Sequence, residues 1–160
     1  MAASLSEAVR EALDAGRGEV LGGRAVLPLV TLESGGRVAI DAELGWSLLM
    51  PDGSVRPATA GEEHVLYEAV EQKRAEFEGA IEDAARAVGL DPDAVVLAFP
   101  STGVVRAVLA RRVPFLVSLA LRWLLPSELR ELRPDILRVA QGSDLPRPVR
   151  ELAEHLVVPE

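Results

Sequence analysis

The stretch Val26-Leu27-Pro28-Leu29-Val30-Thr31-Leu32-Glu33-Ser34-Gly35-Gly36-Arg37-Val38-Ala39-Ile40-Asp41-Ala42 decides the fold of this 160-residue chain. Two runs rich in β-branched and apolar residues, 26–32 and 38–42, flank Glu33-Ser34-Gly35-Gly36, a four-residue loop with hairpin chemistry. Residues 46–50 continue as a third strand. Pro51-Asp52-Gly53 is a strong turn signal, and residues 54–56 supply a short fourth strand. Pro28 has no N–H for a ladder, so its strand is expected at an edge or with a bulge. The prediction is an antiparallel meander of three or four strands.

Upstream, Ser4 and Glu7 form a capping-box pattern. Leu5, Val9, Ala12 and Leu13 share one helical face, and Gly16 supplies a stop, so residues 5–15 read as a short helix. The glycine-rich segment 16–23 reads as a loop. Downstream, Thr59 and Glu62 form a second capping-box pattern. Leu66, Val70, Phe77, Ile81, Ala84 and Val88 recur at helical spacing, and Gly89 and Pro92 end the pattern. One helix over 60–88 would be about 43 Å long and would cover the sheet. Lys73 and Arg74 interrupt its apolar stripe. They are expected to snorkel or to pair with a sheet carboxylate such as Asp41 or Glu43, the alternative being a gap where the helix leaves the core.

Residues 91–160 read as short helices punctuated by prolines. Segment 94–99 suits a buried strand or a helical turn. Segment 102–112 is amphipathic. Segment 114–125 is apolar on nearly every side except Ser118 and Arg122, and is predicted to form the centre of the C-terminal core with Arg122 reaching out along a narrow polar stripe. Segments 134–141 and 147–157 follow, the latter carrying i,i+4 pairs Arg147/Glu151 and Arg150/Glu154. The expected fold class is α+β: a short N-terminal helix, a small antiparallel meander packed on one long helix, then a cluster of short helices. Residues 1–160 form one domain, with sub-regions 1–90 and 91–160.

Composition narrows the function. Hydrophobic residues make up 49%, ample for a packed core, and the net charge is −8. An acidic chain is repelled by phosphate backbones and anionic lipid, so neither nucleic acid nor membrane is an expected partner. The charge is uneven: residues 1–100 carry 18 acids and 8 bases, residues 101–160 carry 7 acids and 9 bases. There is no cysteine, which removes thiolate chemistry and fits a reducing compartment. Sixteen of the seventeen basic residues are Arg, read as a genomic bias of bacterial type. The opening residues lack a basic start and an apolar core, so the start does not read as a signal peptide. The most apolar run, 113–125, is too short to span a bilayer. A cytoplasmic location follows from these readings.

Candidate sites are weak. His64 and Glu68 lie at i,i+4, but a paired Glu-x-x-His pattern is missing, and a solvated acidic helix face accounts for them. His155 falls in a last helical turn, where positive charge is favourable. Asp41 and Glu43 can share one side of a strand, but Gly45 stands where a nuclease-type site would want Lys, and a turn explains them. Residues 132–156 resemble a helix-turn-helix in outline only, since Asp144 and Glu151 oppose phosphate; a packed helical pair is the plainer reading. Ser101-Thr102-Gly103 precedes a helix with Arg106 one turn on. Free amides there suit an anion, although a helix N-cap is the ordinary role of Ser or Thr. Ser101, Thr102, Arg106 and Arg122 are therefore the candidate interaction or anion-binding residues. No catalytic residue, metal ligand or cofactor is assigned. The sequence leans away from an enzyme and towards a protein-protein interaction module of adaptor, inhibitor or immunity type, whose partner is another protein or a second copy. The alternative is a small enzyme or ligand-binding domain with a pocket between sheet and helices.

Overall fold

The computed structural model describes residues 4–157; Met1-Ala2-Ala3, part of the start read above, and residues 158–160 lie outside them. The fold is α+β. Helix α1 (Leu5–Asp14) leads into five strands, β1 (Glu19–Leu21), β2 (Arg24–Thr31), β3 (Arg37–Ile40), β4 (Trp46–Leu49) and β5 (Val55–Pro57), paired antiparallel in chain order. A 3₁₀ segment (Glu63–Glu71) follows, then α2 (Arg74–Ala87), α3 (Pro92–Ala98), α4 (Ser101–Arg111), α5 (Pro114–Trp123), α6 (Leu129–Gln141) and α7 (Arg147–Val157).

The meander forms where its turns allow. Gly35 and Gly53 adopt φ of +91° and +88°, which only glycine reaches without strain. Asp41 Oδ1 accepts backbone N–H bonds from Glu43 and Gly45 at 2.9 Å each, which fixes the β3–β4 turn, and its Oδ2 lies 3.7 Å from Arg24. Pro28 sits at a bulge: Pro28 pairs with Ala39 and Val30 with Val38, leaving Leu29 extra. Both Leu29 and Val30 thereby enter the main core. Strand β1 falls within the segment expected to be a loop. Its three residues pair with β2, and Glu19 binds Arg37 of β3. The sheet is curled: its first and last strands line one crevice, and Val26, Ala39 and Leu49 pack inside the curl. The opposite face, with Leu27, Ile40, Trp46 and Leu48, meets the helices.

The single long helix expected over 60–88 is two elements. Thr59 makes no side-chain cap; only its carbonyl accepts, from Glu62 N–H. The 3₁₀ segment ends at Gln72, and Lys73 is extended (φ −63°, ψ 140°) before α2 begins. The break lies at the two residues that interrupt the apolar stripe. Arg74 turns inward towards α6: it binds Glu128 through two bonds of 2.9 and 3.0 Å and donates to the Trp123 carbonyl at 3.1 Å. Its partners are Glu128 and Glu78, not the sheet carboxylates Asp41 or Glu43. Helix α2 ends as read, with Gly89 at φ +78° and Leu90 N–H returning to the Ala85 carbonyl.

Segment 94–99 resolves as helix α3 and its C-cap. Asp91 caps it through the Asp93 N–H. Helix α6 starts at Leu129, so Pro134, expected to open it, lies inside; the carbonyl of exposed Arg130 forgoes its helical donor. Helices α6 and α7 form the packed pair. Arg147 binds Glu151 at 2.7 Å, whereas Arg150 turns inward and its Nε is buried without a partner.

One aromatic cluster joins the layers. Phe99 meets Trp46 and Phe77 edge-on at 5.1 and 4.9 Å, and Phe77 lies 5.9 Å from Trp123. The Trp46 indole N–H donates to the Ala98 carbonyl, tying β4 to α3. The guanidinium of Arg74 stands 4.2 Å over the Trp123 ring.

A second apolar helical stretch, Pro92–Arg111, is longer than 113–125. It is 20 residues long and contains an apolar window of mean hydropathy 1.5, enough to cross a membrane by length and composition alone. It is divided into α3 and α4 where Phe99 (φ −68°, ψ 131°) and Pro100 leave the helical region.

Candidate functional site: an apolar seam with unengaged cations

Helix α5 was expected to be the centre of a core. One side is: Val117, Ala120, Leu121 and Trp123 are buried. The other is open. Phe115 is 68% exposed, Val113 is 44% exposed, and Leu116 and Leu119 are half-buried. The chain has six aromatic residues. Four form the buried cluster. The other two, Phe115 and Tyr67, are exposed, and Tyr67 lies on the 3₁₀ segment that packs against α5.

Two cavities lie along this seam. The first, about 460 Å³, sits between the sheet edge, the 3₁₀ segment and the start of α5. Its apolar walls include Leu48, Met50, Val65, Val108, Val113 and Leu116. Its polar rim is Arg56, His64, Tyr67, Glu68 and Arg111. The second, about 280 Å³, lies further along between Val70–Arg74 and Leu119, Arg122 and Trp123. The start of the 3₁₀ segment thus shares a cavity with the start of α5, and its end shares one with the end of α5; between them the segment kinks at Leu66 (φ −95°, ψ 18°).

Most cations of this groove, the two cavities together, are unpaired: among the described residues, Arg56, Arg111, Arg122 and Lys73 form no ion pair. Arg56 acts on Asp52 only as a minor influence; the Asp52 carboxyl is held low mainly by hydrogen bonds from Ser54. Two carboxylates share the groove. Glu68 accepts from Ser34 Oγ at 2.7 Å. Burial pushes the Glu71 carboxyl above its ordinary value, with the charges of Glu68 and Glu33 adding to the effect. His64 and Glu68 both line the first cavity, and no group of three His, Asp or Glu side chains suited to a metal occurs among the described residues.

The four residues singled out in the sequence do not form one site. Ser101 and Thr102 begin α4, whose N-cap is Pro100 with no side-chain cap, so the N-cap role assigned to them is not realised. They line a separate crevice beside Arg74 and Glu128. Arg106 points across to α6, 3.3 Å from Asp135 and 3.7 Å from Glu131. Arg122 is exposed and lines the second cavity of the seam. Of the four, only Arg122 belongs to the groove. Arg56, Tyr67, Arg111, Val113 and Phe115 were missed. The available signal was the off-stripe placement of Tyr67 and Phe115, two of only six aromatics.

The arrangement supplies apolar anchor sites bordered by cations. Comparison with known proteins finds no matching family model, no matching curated protein and no matching solved structure.

Proposed function

We propose that this protein is a non-enzymatic interaction module that binds another protein through the seam between the 3₁₀ segment and α5, acting in the cytoplasm. The observation that carries this is the segregation of aromatics: four are buried together, and the remaining two are exposed, Tyr67 bordering the first cavity with Val113 and Phe115 two residues after Val113 at the start of α5. Exposed aromatic and Arg side chains around a partly desolvated pocket are the usual anchors of a protein interface. The absence of cysteine supports a reducing compartment.

The test is affinity capture from native cell extract with wild type, Phe115→Glu and Val20→Glu. Val20 is 71% exposed on β1, away from the seam. A partner retained by wild type and Val20→Glu but lost with Phe115→Glu is the expected result. Equal retention by all three proteins would remove the seam from the interaction.

A second reading rests on the first cavity alone. Its apolar walls and the free guanidinium groups of Arg56 and Arg111 suit a small apolar anion, as in a ligand-binding domain. In that case a short aromatic carboxylate at millimolar concentration raises the melting temperature of wild type and not of Arg111→Gln.

A further inference from the structure

Resting on the interaction reading above, we infer that the groove takes an acidic amphipathic helix of the partner, with two large apolar side chains seven residues apart. Spacing is the first ground. On α5 the first cavity is bordered by Val113 and Leu116, the second by Leu119, Arg122 and Trp123. The two sets are centred about seven residues apart, or about 10 Å at the helical rise. Residues i and i+7 of a partner helix laid along α5 have the same separation, so one anchor enters each cavity. Helix α5 itself is 10 residues long. It offers about 15 Å of track, enough for between two and three turns of partner.

Charge is the second ground. Arg56 and Arg111 border the first cavity, Lys73 borders the second with Arg122, and none has an ion-pair partner among the described residues. Glu68 and Glu71 face them from the 3₁₀ segment, and Glu68 already accepts from Ser34. Four free cations against Glu68, Glu71 and nearby Glu33 leave the groove net positive in a chain of net charge −8. Such local reversal selects an acidic partner and disfavours a second copy meeting it at random. A basic helix would meet the cations at both ends of the groove.

Selection from a phage library of 16-residue helical peptides tests this, using the whole protein as bait and counter-selection on Phe115→Glu. Enriched peptides are expected to carry net negative charge and large apolar residues at i and i+7. Binding of an enriched peptide, followed by fluorescence anisotropy, should weaken at least tenfold in Arg111→Glu/Arg122→Glu and be unchanged in Arg10→Glu, a charge reversal on the exposed face of α1. The milder Arg111→Gln/Arg122→Gln pair should weaken binding in the same direction, with circular dichroism confirming the native fold. Enrichment of basic peptides, of proline-rich extended peptides, or of nothing above background overturns the inference. The two claims separate cleanly. If capture of the native partner still depends on Phe115 while selected peptides are not acidic helices, the interface stands and its assigned occupant falls.

Discussion

Arg74 and Arg111 both sit among apolar side chains, and their situations are opposite. The Arg74 side chain is 11% exposed, held by Glu128 and Glu78, capped by the Trp123 carbonyl and stacked over the Trp123 ring. Burial disfavours its charge, but the bonds and charges of Glu128 and Glu78 outweigh this and its pKa moves upward. Arg111 is exposed at the end of α4 above an apolar cavity, with no ion pair among the described residues. Burying a cation is costly unless it is paired, as Arg74 is with two carboxylates, whereas a cation left in water beside apolar surface is free to meet a partner. The contrast separates a residue that shapes the fold from residues that remain available for binding.

The contrast breaks most readily at Arg74. Arg74→Ala strands the Glu128 carboxylate, itself 13% exposed, and should cost about 3–5 kcal/mol in urea unfolding. Arg111→Ala should change stability by less than about 0.5 kcal/mol. Equal losses would erase the distinction.

The two sides of α5 sharpen it further. Leu121 is 1% exposed, and Leu121→Ala should cost about 2–5 kcal/mol by urea denaturation. Leu119, half-buried on the groove side, should cost less than about half as much when cut to Ala, since less apolar area leaves water on folding.

A smaller effect comes from Glu71. Its folded pKa is raised by burial and then by Glu68 and Glu33. Its protonated form therefore favours the fold below the unfolded value, and that contribution is lost as pH rises through the folded one. Glu71→Gln should raise the melting temperature at pH 7 and leave it unchanged near pH 3. Asp144 has the opposite sign. Arg112, bonded to it at 2.7 Å, holds its carboxyl low, so the contribution is present at neutral pH and fades as pH falls. Asp144→Asn should lower the melting temperature at pH 7 only.

What could be read from the sequence was local. The turns at Gly35 and Gly53, the bulge at Pro28, the stop at Gly89 and the Ser4 cap of α1 each follow from a few neighbouring residues. The misread elements depended on distant ones. The break before α2 goes with an arginine that pairs with Glu128, 54 positions away. Strand β1 is three residues that gain order by pairing with β2 and by the ion pair of Glu19 with Arg37. The groove draws on β4, β5, the 3₁₀ segment, α4 and α5, so no window of sequence contains it. Helix α5 misled because its composition is apolar on both sides, which fits an interface as well as a core.

The interaction surface stands or falls with Phe115. Its ring is 68% exposed and has little buried area to lose. The urea midpoint of Phe115→Ser is expected to equal that of wild type, with an unchanged denaturant slope. A loss of more than about 1 kcal/mol would show that the ring is packed into the fold, and the groove beside α5 would then be part of the protein's own core and not a surface held open for a partner.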